Sequence, residues 1–277
     1  MAGGNFGGGS GTQADPFIVE DWADIIAIGS ATNFYYYKVL NDLDANDRNN
    51  GVWSELTIQR FTEIDFDGHK IRNIYTDASV NIFKFYNGSG SGWRAQSIKN
   101  LVIENLYAPN ATLFSAGTTL TISDSTITGA MRYLAAQGYT NDNNFLRCSI
   151  AITGGAIDYS TYTVGLKQCS IKITDGNGFT KSSRLRQCRV TGNIKQHDEW
   201  LLVQNMINSV FAVKDDTGGQ IERASFTGGD AAFPSLIDVS LLGDYTPIID
   251  SGIAATTAQA NNLAWLQEHG FAVVSAV

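Results

Sequence analysis

The amino-acid sequence predicts an all-β fold, a single-stranded right-handed parallel β-helix (solenoid), with a short N-terminal cap helix and a C-terminal helix plus strand. Three observations lead to this prediction: an internal repeat, a turn-rich composition, and the lack of any amphipathic helix within the repeats. The 277 residues include 28 glycines, and only 17% are charged, against about 25% in ordinary soluble proteins. Because Gly and Asn tolerate positive φ angles, a composition rich in both favours short strands joined by tight turns.

The repeat consists of an apolar residue, two residues of any kind, a small or apolar residue, one further residue and a second apolar residue. Its seven copies have the following middle positions: Leu106, Ser125, Cys148, Cys169, Cys188, Ser209 and Ala224. The last two positions of each copy lie two residues apart, so their side chains point to one face of a strand. A repeat of roughly 20 residues without the Leu and Asn ladder of leucine-rich repeats indicates the stacked rungs of a β-helix.

A weaker similarity extends the repeat upstream. Residues 71–74 (IRNI) recur as residues 98–101 (IKNL), which predicts an earlier and less regular pair of rungs. The alternative to stacked rungs is an antiparallel sandwich, which also has many short strands but predicts no in-register column of like residues. The column therefore favours the β-helix.

The three cysteines, Cys148, Cys169 and Cys188, are expected in one inward column on adjacent rungs. A free thiol there packs as a small hydrophobic side chain. The alternatives are a redox pair or a metal site, but a metal requires convergent ligands, which a column does not supply. An odd number of cysteines also argues against a disulfide framework and favours folding in a reducing cytoplasm.

Both ends of a stacked solenoid need covers. Residues 17–19 predict a strand, and residues 20–29 predict a cap helix with Trp22, Ile25 and Ile26 on one face. The Gly-rich leader, residues 3–11, is either a flexible tail or an arm that docks on a partner, and its composition favours the tail.

The other cover is predicted as a helix over residues 256–269, with an apolar stripe formed by Ala260, Leu263, Ala264 and Leu266. The apolar tail, residues 271–277, is expected to be a strand that packs on its own solenoid or pairs with another copy. The predicted organisation is therefore a leader (1–16), a β-helix with its N-terminal cap (17–245) and a C-terminal cap (246–277).

Charge and hydropathy exclude several classes of function. The formal charge of −8 disfavours general binding to nucleic acid, whose phosphates an acidic surface repels. No apolar run approaches the roughly 18 residues of a membrane span, so no membrane insertion is expected. Residues 1–16 lack the basic and apolar regions of a secretory signal.

No catalytic residue, cofactor or metal ion is predicted. Adjacent Asp215 and Asp216 are interpreted as a solvated turn, with catalysis as the alternative. The acidic run from Asp42 to Asp47 resembles a calcium loop, but it lacks the Gly and Glu that an EF-hand requires. None of the histidines is placed as an evident base: His69, His197 and His269.

Aromatic side chains are the candidate contacts to a ligand or partner. The run Tyr35–Tyr37 places at least one ring outward if the segment is a strand. Trp93 lies in a glycine-rich loop and Trp200 follows a charged turn. Exposed rings of this kind anchor sugars or protein partners. We therefore name Tyr35, Tyr37, Trp93 and Trp200 as candidates, the alternative being that these rings pack over loops.

Two segments carry a family resemblance. Residues 8–19 (GGSGTQADPFIV) and residues 36–75 resemble the opening rungs of pectate-lyase-like β-helix domains, including those of phage proteins. The positions that match are Asn41, Asp42, Asp44, Trp53, Phe66, Asp67, Gly68, Arg72 and Asn73. The resemblance covers about the first 110 residues. Its motifs are specific for the fold and not for an activity.

The resemblance to tail-spike, fibre and decoration proteins of tailed bacteriophages implies a non-enzymatic virion protein. It further implies a homotrimer that contacts other virion proteins, attaches to a host surface polysaccharide, and reaches the virion after synthesis in the host cytoplasm. The alternatives on the same scaffold are a polysaccharide depolymerase and a bacterial glycan-binding adhesin.

Overall fold

A computed structural model of the chain confirms the predicted fold class, because its strands stack in parallel as a β-solenoid. The structure describes residues 6–31, 33–48, 53–86, 95–117, 119–136, 143–158, 164–176, 183–194, 201–207, 209–215, 221–227, 235–238, 242–248, 252–255, 257–260 and 262–268. Two compact units, Met1–Asn144 and Phe145–Val277, are described in turn.

The first unit contains eleven described strands, one α-helix and one short 3₁₀ helix, Ala45–Asp47. These elements are β1 (Phe17–Val19), α1 (Trp22–Ile28), β2 (Tyr35–Val39), β3 (Leu43–Asp44), β4 (Leu56–Gln59), β5 (Phe61–Asp65), β6 (Lys70–Arg72), β7 (Asn81–Tyr86), β8 (Gln96–Lys99), β9 (Val102–Ala116), β10 (Leu120–Ser123) and β11 (Thr126–Ala136). One face has the strand order β1-β2-β5-β8-β10, and a second has the order β3-β6-β9-β11. The later residues of the long strand β9 also pair with β7, which pairs with β4, so this unit has a third face.

Apolar side chains of like position stack inside the first unit. Ile64 lies opposite Ile98 in the register, and Ile98 lies opposite Ile122. Phe83 and Phe114 stack with their ring centroids 5.8 Å apart. All five side chains are at most 3% exposed. Since full burial of such a side chain contributes about 1.5–3 kcal/mol, these stacks supply much of the stability of the unit.

The second unit continues the same pattern of short parallel strands. Its elements are β12 (Asn143–Leu146, which begins at the boundary), β13 (Ser149–Thr153), β14 (Ala156–Asp158), β15 (Val164–Lys167), β16 (Ser170–Gly176), β17 (Ser183–Arg186), β18 (Arg189–Ile194), β19 (Leu201–Ile207), β20 (Val210–Asp215), β21 (Ile221–Thr227), β22 (Ser235–Asp238), β23 (Leu242–Ile248), β24 (Gly252–Ala255), α2 (Thr257–Ala260) and α3 (Leu263–Glu268). One face has the order β15-β17-β19-β21-β23, and the other has the order β13-β16-β18-β20-β22-β24.

The predicted column is confirmed at its centre. The register joins Ser149 to Ser170, Ser170 to Arg189 and Arg189 to Val210. The residues just before these four therefore form one column: Cys148, Cys169, Cys188 and Ser209. All four are at most 2% exposed.

Two of the seven predicted column positions, Leu106 and Ala224, are wrong because neither lies in the column of corner residues. Ser125 lies next to Leu101, whose N–H donates to the Ser125 hydroxyl at 3.0 Å, and Leu106 instead lies opposite Gly129. The motif spacing occurs twice in succession, first at Ile98, Leu101 and Ile103 and then at Ile103, Leu106 and Ala108. Only the first occurrence spans a corner between two faces. Ala224 belongs to β21, on the other face of the second unit.

The predicted pairing of residues 71–74 with residues 98–101 is also wrong. Ile71 lies opposite Ile103, and the backbone of Tyr75 forms a parallel bridge with Tyr107. The equivalent segments are therefore 71–75 (IRNIY) and 103–107 (IENLY). Residues 98–101 instead belong to the face formed by β5, β8 and β10.

A left-handed residue forms the corner at five described positions, just before Leu101, Ser125, Cys148, Cys169 and Cys188. The φ angles lie between 52° and 57° at Asn100, Asp124, Arg147, Gln168 and Gln187. This conformation costs an L-residue about 1–2 kcal/mol. Composition predicts Gly or Asn at such corners, but three of these positions carry longer side chains, of which Arg147 is exposed and Gln168 and Gln187 are half-buried.

The N-terminal cover differs in detail from the prediction. Helix α1 buries Trp22, Ile25 and Ile28, while Ile26 is 50% exposed instead of facing inward. At its start, the Asp21 carboxylate accepts from the Asp24 N–H at 3.1 Å, which caps the first turn.

The flexible-tail interpretation of the leader is wrong for its described residues, 6–11. Gly7 donates its N–H to the Ile18 carbonyl at 3.0 Å, and Ile18 donates to the Gly8 carbonyl at 3.1 Å. Gly11 has a φ of +77°, and a Cβ there would lie 2.5 Å from the Phe17 ring. Glycine is needed here because the leader approaches β1 and the aromatic rings too closely for a side chain.

The C-terminal helix is divided. It forms α2 and α3 because the Asn262 side chain accepts from the Trp265 N–H at 3.0 Å and caps a new first turn. Leu266 is fully buried as predicted, but Ala264 is exposed. The predicted strand at residues 271–277 lies outside the described residues.

Candidate functional site

Two of the four candidate aromatic residues lie in the described part of the chain, on β2. Tyr37 is 1% exposed, so its ring belongs to the core and offers no surface to a ligand. Burial raises the pKa of its hydroxyl, with a smaller contribution from Tyr35. Tyr35 is half-buried and packs edge-on against Phe17. Trp93 and Trp200 lie outside the described residues.

A second aromatic group joins α1 to the first rungs. The Trp22 indole N–H donates to the Asp44 carbonyl at 2.6 Å, and its ring lies edge-on to Trp53 at 5.3 Å. The Arg48 guanidinium lies 4.5 Å from the centroid of the Trp53 ring. Its burial lowers the pKa of Arg48. These residues hold the N-terminal cover in place and leave little aromatic surface free.

The acidic run from Asp42 to Asp47 is occupied by contacts within the chain. Asp42 accepts from the Lys70 N–H at 3.0 Å, which lowers the pKa of its carboxyl. Asp44 accepts from the Asn46 N–H at 3.0 Å and from the Asn73 amide at 2.9 Å, and its pKa is also lowered. These carboxylates therefore link neighbouring rungs and do not converge on a shared centre.

Charged side chains on the outer faces pair from rung to rung. The Lys70 ammonium lies 3.1 Å from Glu104, and the Lys84 ammonium lies 3.2 Å from Glu55. The Lys99 ammonium lies 2.8 Å from Glu63. Exposed pairs of this kind contribute about 0.2–1 kcal/mol each. Their arrangement matches opposite charges across parallel strands. Asp65 also lies 3.3 Å from the Lys99 ammonium, so this cation is shared by two neighbouring carboxylates.

The residues considered for catalysis are not brought together. His69 Nδ1 lies 3.3 Å from the Asp42 carboxylate on the surface. Asp215 ends β20, and its side chain is not among those described. Asp216, His197 and His269 lie outside the described residues. Within the described ranges, no three His, Cys, Asp or Glu side chains are grouped so that they could hold a metal ion.

The cysteine column carries a hydrogen-bond chain that sequence reasoning missed. The Cys148 N–H donates to Cys169 Sγ at 3.4 Å, and the Cys188 N–H donates to the Ser209 hydroxyl at 3.0 Å. The Cys188 thiol donates to the Arg186 carbonyl at 3.3 Å. A hydrogen bond with Cys148 lowers the pKa of Cys169, but a hydrogen bond with Cys188 and burial outweigh it and raise that pKa. The Cys169 thiol is therefore protonated at neutral pH and serves a structural role in the column.

Sequence reasoning also missed an exposed aromatic pair. The rings of Tyr75 and Tyr107 stack with centroids 5.4 Å apart and planes inclined by 12°. They are 47% and 49% exposed. The Tyr75 hydroxyl donates to the Asp77 carboxylate at 2.8 Å, which raises the pKa of Tyr75. The sequence signal for this pair is the match between residues 71–75 (IRNIY) and residues 103–107 (IENLY), each of which ends in tyrosine. Pairing residues 71–74 with residues 98–101 obscures that match.

No protein-family model matches the chain, and no curated protein matches it. A solved structure of a candidate immunoglobulin A1 protease from Bacteroides ovatus is similar over 91% of this chain and 80% of that chain, with 16% identity and a TM-score of 0.35. A likeness of this degree bears on neither the activity nor the partners of this chain. The resemblance to virion proteins rests on the sequence motifs alone.

No helix in the described ranges combines the length and the apolar character needed to cross a bilayer.

Proposed function

We propose that the chain is a structural protein of a tailed-phage virion, acting as a spike, fibre or decoration that presents a β-solenoid to other virion proteins or to a host surface polysaccharide. The observation that carries this proposal is the use of outward charges. Several carboxylates of the first rungs form ion pairs with neighbouring strands, as in the pairs Lys70–Glu104 and Lys99–Glu63. Such rows of ion pairs hold neighbouring strands together, which suits a protein whose role is to present a rigid surface to partners.

The free thiols also support this proposal. None of Cys148, Cys169 and Cys188 forms a disulfide, and all three are buried. A column of reduced thiols suits folding in a host cytoplasm before release by lysis. The proposed location is therefore the virion, after synthesis in the cytoplasm.

The location of the chain in intact particles tests the proposal. Particles released by lysis of producing cells are purified by density, then analysed by immuno-electron microscopy and quantitative mass spectrometry. We expect labelling at a defined position on the particle and a constant copy number per particle. Detection of the chain on the surface of intact cells, with none in the particles, would overturn the virion role and favour an adhesin.

The depolymerase alternative is tested with the purified chain and capsular or cell-wall polysaccharides. The structural proposal expects the polymer length to remain unchanged in size-exclusion chromatography. Shortening of any of these polymers would replace the structural role with an enzymatic one on the same scaffold.

The proposed homotrimer has its own test. Three copies of the 30.0 kDa chain give a particle of about 90 kDa, which mass photometry at micromolar concentration resolves from a monomer. A single species at the mass of one chain would contradict the trimer and leave the location in the virion to be judged separately.

A further inference from the structure

The exposed pair of Tyr75 and Tyr107 lies on a rigid part of the first unit. The Thr76 N–H donates to the Tyr107 carbonyl at 3.0 Å, and the Tyr107 N–H donates to the Ile74 carbonyl at 2.8 Å. Ile74 and Ala108, beside the two tyrosines, are fully buried. The backbone on both sides of each ring is thus held in place. A ligand that binds to these rings would therefore cause little further loss of conformational entropy in the protein.

The Tyr107 ring is open in the direction in which the rungs stack. The residue opposite Tyr107 on β11 is Ala130, a half-buried alanine. A methyl group on that side leaves the outer face of the Tyr107 ring much freer than a large side chain would. The stacked pair therefore ends in an accessible aromatic face.

A carboxylate lies beside the Tyr75 ring of this pair. Asp77 is exposed, and its side chain accepts from the Tyr75 hydroxyl, while its carbonyl accepts from the Asn110 amide at 3.0 Å. Among the described residues no Lys or Arg forms an ion pair with Asp77, and none lies over either tyrosine ring. The negative charge and the negative faces of the rings are both left without a cation from the described part of the chain.

The same chain uses this chemistry internally. The Arg48 guanidinium lies over the Trp53 ring, and the Arg132 guanidinium lies 5.1 Å from the centroid of the Tyr133 ring. In both places an arginine from the chain fills the aromatic face. At Tyr75 and Tyr107 the rings and the carboxylate are present, and the described residues supply no guanidinium.

We propose that Tyr75, Tyr107 and Asp77 form a docking site for an arginine side chain of a basic polypeptide segment on a partner protein. The guanidinium packs against the exposed surface of the tyrosine pair beside the Tyr75 hydroxyl, and its N–H groups donate to the Asp77 carboxylate. The formal charge of −8 on the chain complements a basic segment. The site depends on the described contacts alone and stands whether or not the protein belongs to a virion.

The test uses the full chain labelled with ¹³C in its tyrosine rings and followed by NMR. The probe is the peptide acetyl-Gly-Arg-Gly-Arg-Gly-amide, and the control peptide carries citrulline, a neutral analogue, in place of each arginine. We expect the arginine peptide to shift the ring signals of Tyr75 and Tyr107 in a saturable manner. The citrulline peptide is expected to shift them far less, and added salt is expected to weaken the arginine response.

Three variants sharpen the test. Asp77→Asn and Tyr107→Leu are each expected to weaken binding about two- to fivefold, as loss of one exposed ion pair or one cation–π contact implies. The matched control Asp15→Asn removes the same charge from another exposed position and is expected to bind as the parent chain does. Ring signals of the remaining tyrosines report whether each variant is folded.

Three results would overturn the site. Equal shifts with the citrulline peptide would show that charge is not recognised. An equal loss in Asp15→Asn and Asp77→Asn would reduce the effect to the overall charge of the chain. Shifts of the Tyr75 and Tyr107 signals by neutral oligosaccharides, in the absence of any response to arginine, would assign the aromatic pair to a glycan instead.

Discussion

At the scale of single residues, the corner column solves a hydrogen-bonding problem. Where the chain turns from one face to the next, the N–H of the column residue leaves the strand ladder and needs another acceptor. The next rung supplies it through a side chain: Cys169 Sγ for Cys148, and the Ser209 hydroxyl for Cys188. Small size alone therefore does not explain the cysteines, since an acceptor atom is also required.

The requirement for an acceptor predicts different outcomes for two substitutions of similar size. Cys169→Ser keeps an acceptor for the Cys148 N–H, whereas Cys169→Val leaves that buried N–H unsatisfied. We expect the valine variant to lose about 1–3 kcal/mol in free energy of unfolding relative to the serine variant, measured by urea denaturation. Equal stability of the two variants would mean that the column needs only packing.

At the scale of elements, each short strand divides its side chains between core and solvent. On β16, Ile171 is fully buried and lies opposite Ile150 and Val190, while Lys172 next to it is exposed. The alternation has a period of two, as a strand with one buried face requires. The apolar pairs between rungs make each strand dependent on its neighbours.

A pair of substitutions on β16 tests this alternation. Ile171→Asp places a carboxylate in the apolar column, and we expect a loss of several kcal/mol and failure to fold at ordinary temperature. Lys172→Asp introduces the same carboxylate on the outer face of the strand and should change the free energy of unfolding by roughly 0.5 kcal/mol or less. Thermal unfolding followed by circular dichroism compares them, and similar melting curves would refute the register.

At the scale of the whole molecule, a solenoid must protect the strands at its ends. At the N-terminus, the leader hydrogen-bonds to Ile18 on β1, and Trp22 of α1 donates to the Asp44 carbonyl on β3. The leader therefore contacts the outer edge of β1, and α1 contacts that of β3; these are the first strands of their two faces. The leader is part of the fold and limits pairing of β1 with other chains.

Displacing the leader should therefore cause self-association. Gly11→Val adds a side chain where a Cβ already meets the Phe17 ring at 2.5 Å and where φ is +77°. We expect concentration-dependent association of this variant in analytical ultracentrifugation, because the edge of β1 becomes available. Gln13→Val adds an apolar side chain to an exposed leader position and should behave as the parent chain does; association of both variants would point to hydrophobicity rather than an open edge.

Much of the architecture was predictable because a solenoid repeats one local solution. Side chains at Cys148, Cys169 and Cys188 occupy equivalent corners, so their spacing is visible along the chain. The prediction failed where one strand serves two faces. The motif spacing occurs twice in succession, first from β8 into β9 and then within β9, and only pairing with β11 shows that Leu101, not Leu106, stands at the corner. Likewise, the division at Asn262 depends on a single side-chain cap that a helical pattern does not reveal.

The candidate site was less predictable than the fold. The outward run Tyr35–Tyr37 was visible in the sequence, yet Tyr37 is buried, because the leader and β1 bring Phe6 and Phe17 over it. Tyr75 and Tyr107 are 32 positions apart and become a pair only through their parallel bridge. The sequence by itself determined the fold class, since periodicity is a local property. Only the tertiary structure decided which aromatic rings meet solvent, because exposure depends on what the neighbouring rungs place above and below each ring.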